Sequence, residues 1–160
     1  DDLITPTATT QLRFRAGDLG EGSLVEAALD DLAVFRLVCE DTCQSDLGFA
    51  GPGDLSLSVC GPALATGATN DVTISNATPF GQVFLALGLS NTPVPFKGGT
   101  LVPIPLAVLV TLNADASGAV GFSIPGGSGP LSVFAQAVAP DGSQLNGFEI
   151  SNAVEGVFEP

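Results

Sequence analysis

The sequence predicts an all-β chain, an immunoglobulin-like β-sandwich of seven or eight strands preceded by an N-terminal β-strand arm. Three observations carry this reading. Short apolar segments recur at even spacing through residues 55–160, with turn residues between them. Gly (20) and Pro (12) are frequent and spread along the chain, as an all-β fold with many turns requires. Hydrophobic residues make up 45% and charged residues only 13%, a balance that builds a core rather than a disordered coil.

The arm spans residues 1–38. In QLRFRAG, Leu12, Phe14 and Ala16 alternate with Gln11, Arg13 and Arg15, which gives a half-buried strand with one apolar and one basic face. GDLGEG (17–22) is an acidic, Gly-rich turn. The next segment, SLVEAALDDLAVFRLV (23–38), reads as a helix by itself. Ser23 and Glu26 fit a capping box, and Val25, Leu29, Leu32 and Phe35 approach helical spacing. Residues 39–54 are expected to be a hinge and linker, with Gly48, Gly51, Pro52 and Gly53 marking it.

The sandwich is expected over 55–160. Its strand candidates are 55–60, 70–76, 82–89, 106–113, 118–124, 131–139 and 146–158. Asp141-Gly142 and Asn146-Gly147 are turn signals. Residues 96–106 (FKGGTLVPIPL) must form an edge or a connection, because Pro103 and Pro105 donate no ladder hydrogen bond.

Two stretches resemble known modules. LRFRAGDLGEGSLVEAALDDLAVF is similar to the closing strands of MAM-like and carbohydrate-module-like jelly-roll domains in secreted bacterial proteins. That resemblance implies an extended strand over 23–38 in place of the helix. LGFAGPGDLSLSVCGPAL, PVPFKGGTLVPIPL and ISNAVEGVF are similar to a C-terminal module of secreted proteins from planctomycete-like and marine bacteria. This second resemblance covers about 115 residues and implies an extracellular accessory or surface role, with no enzymatic activity attached. On both counts the chain is expected to be extracellular or at a bacterial cell surface, with Asp1 a processed start.

Charge narrows the partners. The formal net charge is −13, with four basic residues in all. Phosphate binding needs clustered Lys and Arg, so nucleic acid and anionic lipid are disfavoured as partners. The longest apolar run, Leu101–Leu112, is broken by Pro103 and Pro105 and is too short to span a bilayer as a helix. Three of the four bases (Arg13, Arg15, Arg36) lie in the arm, whereas 39–160 has Lys97 alone against ten acids.

His, Trp, Tyr and Met are absent. No Ser-His-Asp or Cys-His arrangement can form, so the chain is expected to be non-enzymatic, with no catalytic residue. The missing Trp and Tyr count against glycan stacking, although a glycan remains among the partners considered.

The three cysteines, Cys39, Cys43 and Cys60, are expected to give one disulfide and one remaining thiol. Cys43–Cys60 ranks first, then Cys39–Cys60, then Cys39–Cys43. No cofactor is required. The one metal considered is calcium, at Asp18, Glu21, Asp30 and Asp31, whose carboxylates bracket the acidic turn; the resemblance to MAM-like domains points to Asp30 and Asp31.

The functional expectation follows from the arm. Leu12, Phe14, Leu24, Val25, Leu29, Val34 and Phe35 are too apolar to stay solvated, since burying one large apolar side chain stabilises by roughly 1.5–3 kcal/mol. The arm, with Arg13 and Arg15 on its other face, is expected to donate strands to a neighbouring copy and build a homo-oligomer or polymer. The alternative is an accessory or ligand-binding sandwich cut from a larger secreted hydrolase or adhesin.

Overall fold

The computed structural model describes residues 42–160. The chain divides into two units, Asp1–Leu37 and Val38–Pro160, and all that follows concerns the second. In the described residues the strands are β1 (Thr42–Cys43), β2 (Ser45–Gly48), β3 (Ser56–Gly61), β4 (Thr69–Ser75), β5 (Gln82–Gly88), β6 (Asn91–Phe96), β7 (Gly99–Pro103), β8 (Leu106–Asn113), β9 (Val120–Pro125), β10 (Leu131–Pro140) and β11 (Phe148–Phe158). They form an all-β sandwich. One sheet has the order β1-β3-β4-β9, the other β2-β11-β10-β5-β8, and β6-β7 is a separate hairpin. All named pairings are antiparallel.

The seven strands expected from periodicity are β3, β4, β5, β8, β9, β10 and β11. β1, β2, β6 and β7 are additional. The segment expected as a hinge and linker differs most. From Thr42 onward it is edge strand: β1 pairs with β3, β2 pairs with β11, and Gly51 bridges to Ile150. Its Gly residues turn the chain between the two sheets rather than loosening it. Residues 96–106 are the second strand of the hairpin and the passage into β8, which agrees with the bar on a central strand there.

Alternation fills the core. In β4, Val72 and Ile74 are buried while Asp71 and Thr73 are exposed. Val72 and Ile74 meet Leu57 and Val59 of β3, and Val83, Leu85 and Val154 from the opposite sheet. β5 departs from this pattern because it is apolar on both faces. Val83 and Leu85 enter the inter-sheet core, whereas Ala86 joins Val138, Ile150 and Leu101 in a second cluster beneath the hairpin. The hairpin crosses so closely that a Cβ on Gly88 would stand 2.9 Å from the Pro103 backbone.

Gln136 in β10 holds the hairpin down. It is fully buried. Its Oε1 accepts from Val102 N at 2.9 Å. Its Nε2 donates to Thr100 O at 3.0 Å, Ser151 O at 2.9 Å and, more weakly, Phe49 O at 3.4 Å. One amide thus ties β7, β11 and the chain after β2 to β10, and no polar atom of it is left without a partner.

β11 carries a bulge. Gln136 pairs with Ala153 but Val138 pairs with Ile150, so Ser151 and Asn152 together oppose Ala137. Ser151 Oγ accepts from the Ala137 N–H at 2.8 Å, which the bulge would otherwise leave unpaired. Asn152 is turned toward the other sheet, where Oδ1 accepts from Leu57 N at 2.8 Å and Nδ2 donates to Leu57 O at 2.9 Å. The extra residue also flips the strand's phase. Ile150 faces the hairpin cluster and Val154, four residues on, faces the inter-sheet core.

Cys43 and Cys60 are cross-strand partners and form a disulfide across 17 residues of sequence. This is the pairing ranked first from the sequence. Cys39 lies outside the described residues.

Gln136→Leu keeps the volume but strands buried backbone groups on β7 and β11, each costing about 1–3 kcal/mol. Denaturant unfolding should therefore show a loss of about 3 kcal/mol or more, far above that of an exposed Gln→Leu change. For the disulfide, Asp-N digestion without reduction should release the peptide 41–45 linked to 54–70, because Asp41, Asp46, Asp54 and Asp71 separate all three cysteines. A link from 31–40 to either would show that the bond is formed otherwise.

Candidate functional site

Two features of the described residues can do something beyond holding the fold. The first is an open seam between the sheets. β8 ends one sheet and β9 ends the other. The residues of β8 opposite Leu85 and Leu87 of β5 are Val110 and Val108, so Val108 belongs to the inner face by register. Yet Val108 is 50% exposed, because the four-stranded sheet stops at β9. Leu106 and Leu109 of the same strand are also exposed. β8 contains no charge, Pro or Gly, the usual protections of a free edge. Between the sheets lies a wholly apolar cavity of 350 Å³, lined by residues that include Leu57, Val72, Leu85, Leu87, Phe122 and Ile124. A void this size forgoes contacts that its lining could otherwise make.

The second feature is polar and lies at the loops joining β4 to β5 and β10 to β11. Asp54, Asn76, Asp141, Ser143, Gln144 and Glu149 line one pocket of 600 Å³. Local geometry fixes its walls. Asp141 accepts from Ser143 N and Ser143 Oγ, both at 2.8 Å, and from Gln144 Nε2 at 3.0 Å. The Ser143 backbone bond, with the Ser143 hydroxyl and the Gln144 amide, holds the Asp141 carboxyl below its ordinary range. Asn76 Nδ2 donates to Asp54 O at 3.0 Å. The loop between β8 and β9 uses the same device. Asp115 accepts from Ser117 Oγ, Ser117 N and Ala119 N, and the Ser117 hydroxyl leads in lowering its pKa.

Glu149 differs from both. It is 4% exposed. Its cross-strand partner Ala139 belongs to the inter-sheet core, so Glu149 shares that inward face. Gly53 closes over it; φ there is +88°, and a Cβ would stand 2.5 Å from Glu149 Cβ. Burial pushes its carboxyl pKa up, and the charges of Asp141 and Asp54 push it further. Among the described residues no donor or cation offsets this. Lys97, the only base among them, stands over the Phe148 ring at 5.3 Å. The described His, Cys, Asp and Glu side chains include no group of three placed to hold one metal ion.

The site residues expected from the sequence divide accordingly. Leu12, Arg13, Phe14, Arg15, Leu24, Val25, Leu29, Val34 and Phe35, and the calcium candidates Asp18, Glu21, Asp30 and Asp31, lie outside the described residues. The acidic pocket went unread in the sequence, because Asp54 and Glu149 meet only through the fold. The one local signal was Glu149 itself, an acid placed in the apolar strand FEISNAV.

Comparison with known proteins adds no identity: no family model matches the chain, and neither the curated proteins nor the solved structures contain a match.

Glu149 sets a pH dependence. A carboxyl whose folded pKa is raised contributes stability that is fully present below its unfolded value and is lost as pH rises through the folded value. Glu149→Gln should therefore raise the melting temperature at pH 7, and that advantage should shrink as pH falls toward 4. Calorimetry of both chains across this range measures it; an equal difference at every pH would mean the carboxyl is not strained.

Proposed function

We propose that this chain is a non-enzymatic extracellular structural subunit that assembles by accepting a strand at its open seam. The observation that carries the reading is the edge strand β8, which carries no charge, Pro or Gly, meets no further strand among the described residues, and adjoins β5, whose Leu85 and Leu87 line the apolar inter-sheet cavity. The strand order supports an immunoglobulin-like plan. β3, β4 and β9 stand where strands A, B and E would, facing β5, β10 and β11 in the places of C, F and G, with β8 an added strand beside C.

The occupant is the arm of another copy. Residues 11–16 supply the alternation a donated strand needs: Leu12, Phe14 and Ala16 on the inner face beside Val108, Arg13 and Arg15 outward. Main-chain hydrogen bonds to the edge supply affinity, and alternate apolar side chains beside the half-exposed Val108 supply register. The outward arginines would meet an acidic surface, which orients more than it tightens. Such a contact is heterologous, so it propagates into a filament unless it closes into a ring.

The same cavity favours a second reading, an accessory module that binds a small apolar ligand there. Mass separates the two. Light scattering on the full chain should show multimers. Val108→Lys places a charge on a half-exposed edge position and should reduce the mass while leaving the fold intact; Phe14→Asp should do the same from the donor side. A full chain that stays monomeric at its highest soluble concentration, or a Val108→Lys chain that assembles as before, overturns strand donation.

A further inference from the structure

The inter-sheet cavity is bordered by one buried amide that lacks a partner. Asn70 lies in β4, and alternation puts it on the inner face that Val72 and Ile74 share. It is fully buried. Its Nδ2 and Oδ1 are the only buried side-chain atoms among the described residues with no hydrogen-bond partner there. A buried amide left unpaired is costly, and native folds pair nearly all such groups. Gln136, by contrast, has both its polar atoms served. The strand beside Asn70 brings no side chain to it, because it presents Gly61, where a Cβ would stand 3.0 Å from Asn70 Oδ1. The cavity adjoins Asn70 directly. Val72, two residues along the same face, lines it, and so does Ile124, the cross-strand partner of Asn70. Ile124 and Phe122 belong to β9, the last strand of its sheet, so the cavity lies at the sheet margin and can be entered without breaking a ladder.

Volume and the two unpaired atoms define the ligand. An apolar cavity of roughly 150 Å³ takes up one benzene ring. At 350 Å³ there is room for a body about twice as large. Asn70 offers one donor group and one acceptor. A hydrocarbon would fill the volume and serve neither. A carboxylate only accepts, so it would leave Oδ1 unserved, and its charge would be buried among apolar residues of a chain with net charge −13. A carboxamide gives an N–H to Oδ1 and a C=O to Nδ2 together, with no charge to bury. We infer that the inter-sheet cavity binds a neutral apolar carboxamide, its hydrocarbon body among Val72, Leu85 and Phe122 and its amide paired with Asn70. This deepens the accessory-module reading of the cavity and rests on it; it does not depend on strand donation at β8.

The test uses the full chain and three probes of one shape: para-tert-butylbenzamide, its hydrocarbon counterpart para-tert-butylcumene, and para-tert-butylbenzoate at pH 7. Titration calorimetry and the melting temperature are the readouts. The amide should bind saturably and raise the melting temperature by mass action, and the benzoate should bind more weakly. Asn70→Leu removes both unpaired atoms, so the unliganded variant should melt no lower than the parent. It should weaken the amide about tenfold or more, the loss of two hydrogen bonds, while binding the hydrocarbon at least as tightly as the parent does. Asn70→Ala, which adds no bulk beside Gly61, should show the same loss for the amide, and retained hydrocarbon binding certifies the fold of either variant. Hydrocarbon that binds while the amide is indifferent to both substitutions would overturn the role of Asn70 and leave the apolar-ligand reading standing. Benzoate that binds as tightly as the amide would overturn the neutral ligand. No binding of any probe would overturn the inference together with the accessory-module reading beneath it.

Discussion

The described fold depends on one buried amide. Gln136 sits in the middle of the larger sheet with its side chain on the outer face, where a free edge or water would normally serve it. Instead it meets backbone groups of β7, β11 and the segment after β2. These are groups the sheets cannot satisfy themselves, since the hairpin belongs to neither sheet. Without Gln136 the hairpin would keep its apolar contacts with Ala86, Val138 and Ile150 but lose its side-chain hydrogen bonds to β10. Apolar contact is not directional; the amide is. The arrangement therefore explains why β5 can be apolar on both faces, because its outer face is reliably covered.

Sequence periodicity located β3, β4, β5, β8, β9, β10 and β11, since each has alternating or continuous apolar residues bounded by Gly, Pro, Asn or Asp. The position of Cys60 in the first sandwich strand and of Cys43 in the segment before it put the Cys43–Cys60 pairing first. What periodicity missed has one physical cause. β1 and β2 are short, exposed strands whose residues carry no apolar alternation, so only their partners make them strands. The bulge in β11 is equally silent, because nothing local in ISNAV says that Ser151 and Asn152 share one opposing residue. Asp54 is far in the chain from Asp141 and Glu149, and the pocket they share is a product of topology. Local patterns record local constraints; contacts made between sheets leave little trace in them.

The distribution of charge gives the two candidate surfaces different characters. A protein with net charge −13 repels its own copies at long range. β8 is an uncharged window in that surface, so contact there is governed by apolar area and main-chain hydrogen bonds and should be little affected by salt. The loop pocket is the reverse, a concentration of acid whose contacts would weaken as ionic strength rises.

The disulfide has a mechanical meaning as well. Tension applied at the N-terminal end of the described chain reaches Cys43 first, and the covalent bond passes it directly into Cys60 on β3. The residues between them, all of β2 and Ser56–Val59 of β3, then lie on a loop outside the covalent force path. β2 pairs with β11 antiparallel, with Ser45 opposite Glu155, a geometry in which a pull on both outer ends peels the ladder one bond at a time. The bridge removes that weak zipper from the force path. The load instead enters the β1-β3-β4-β9 sheet at Cys60, so the oxidised chain meets a pull in a way its equilibrium stability alone does not report.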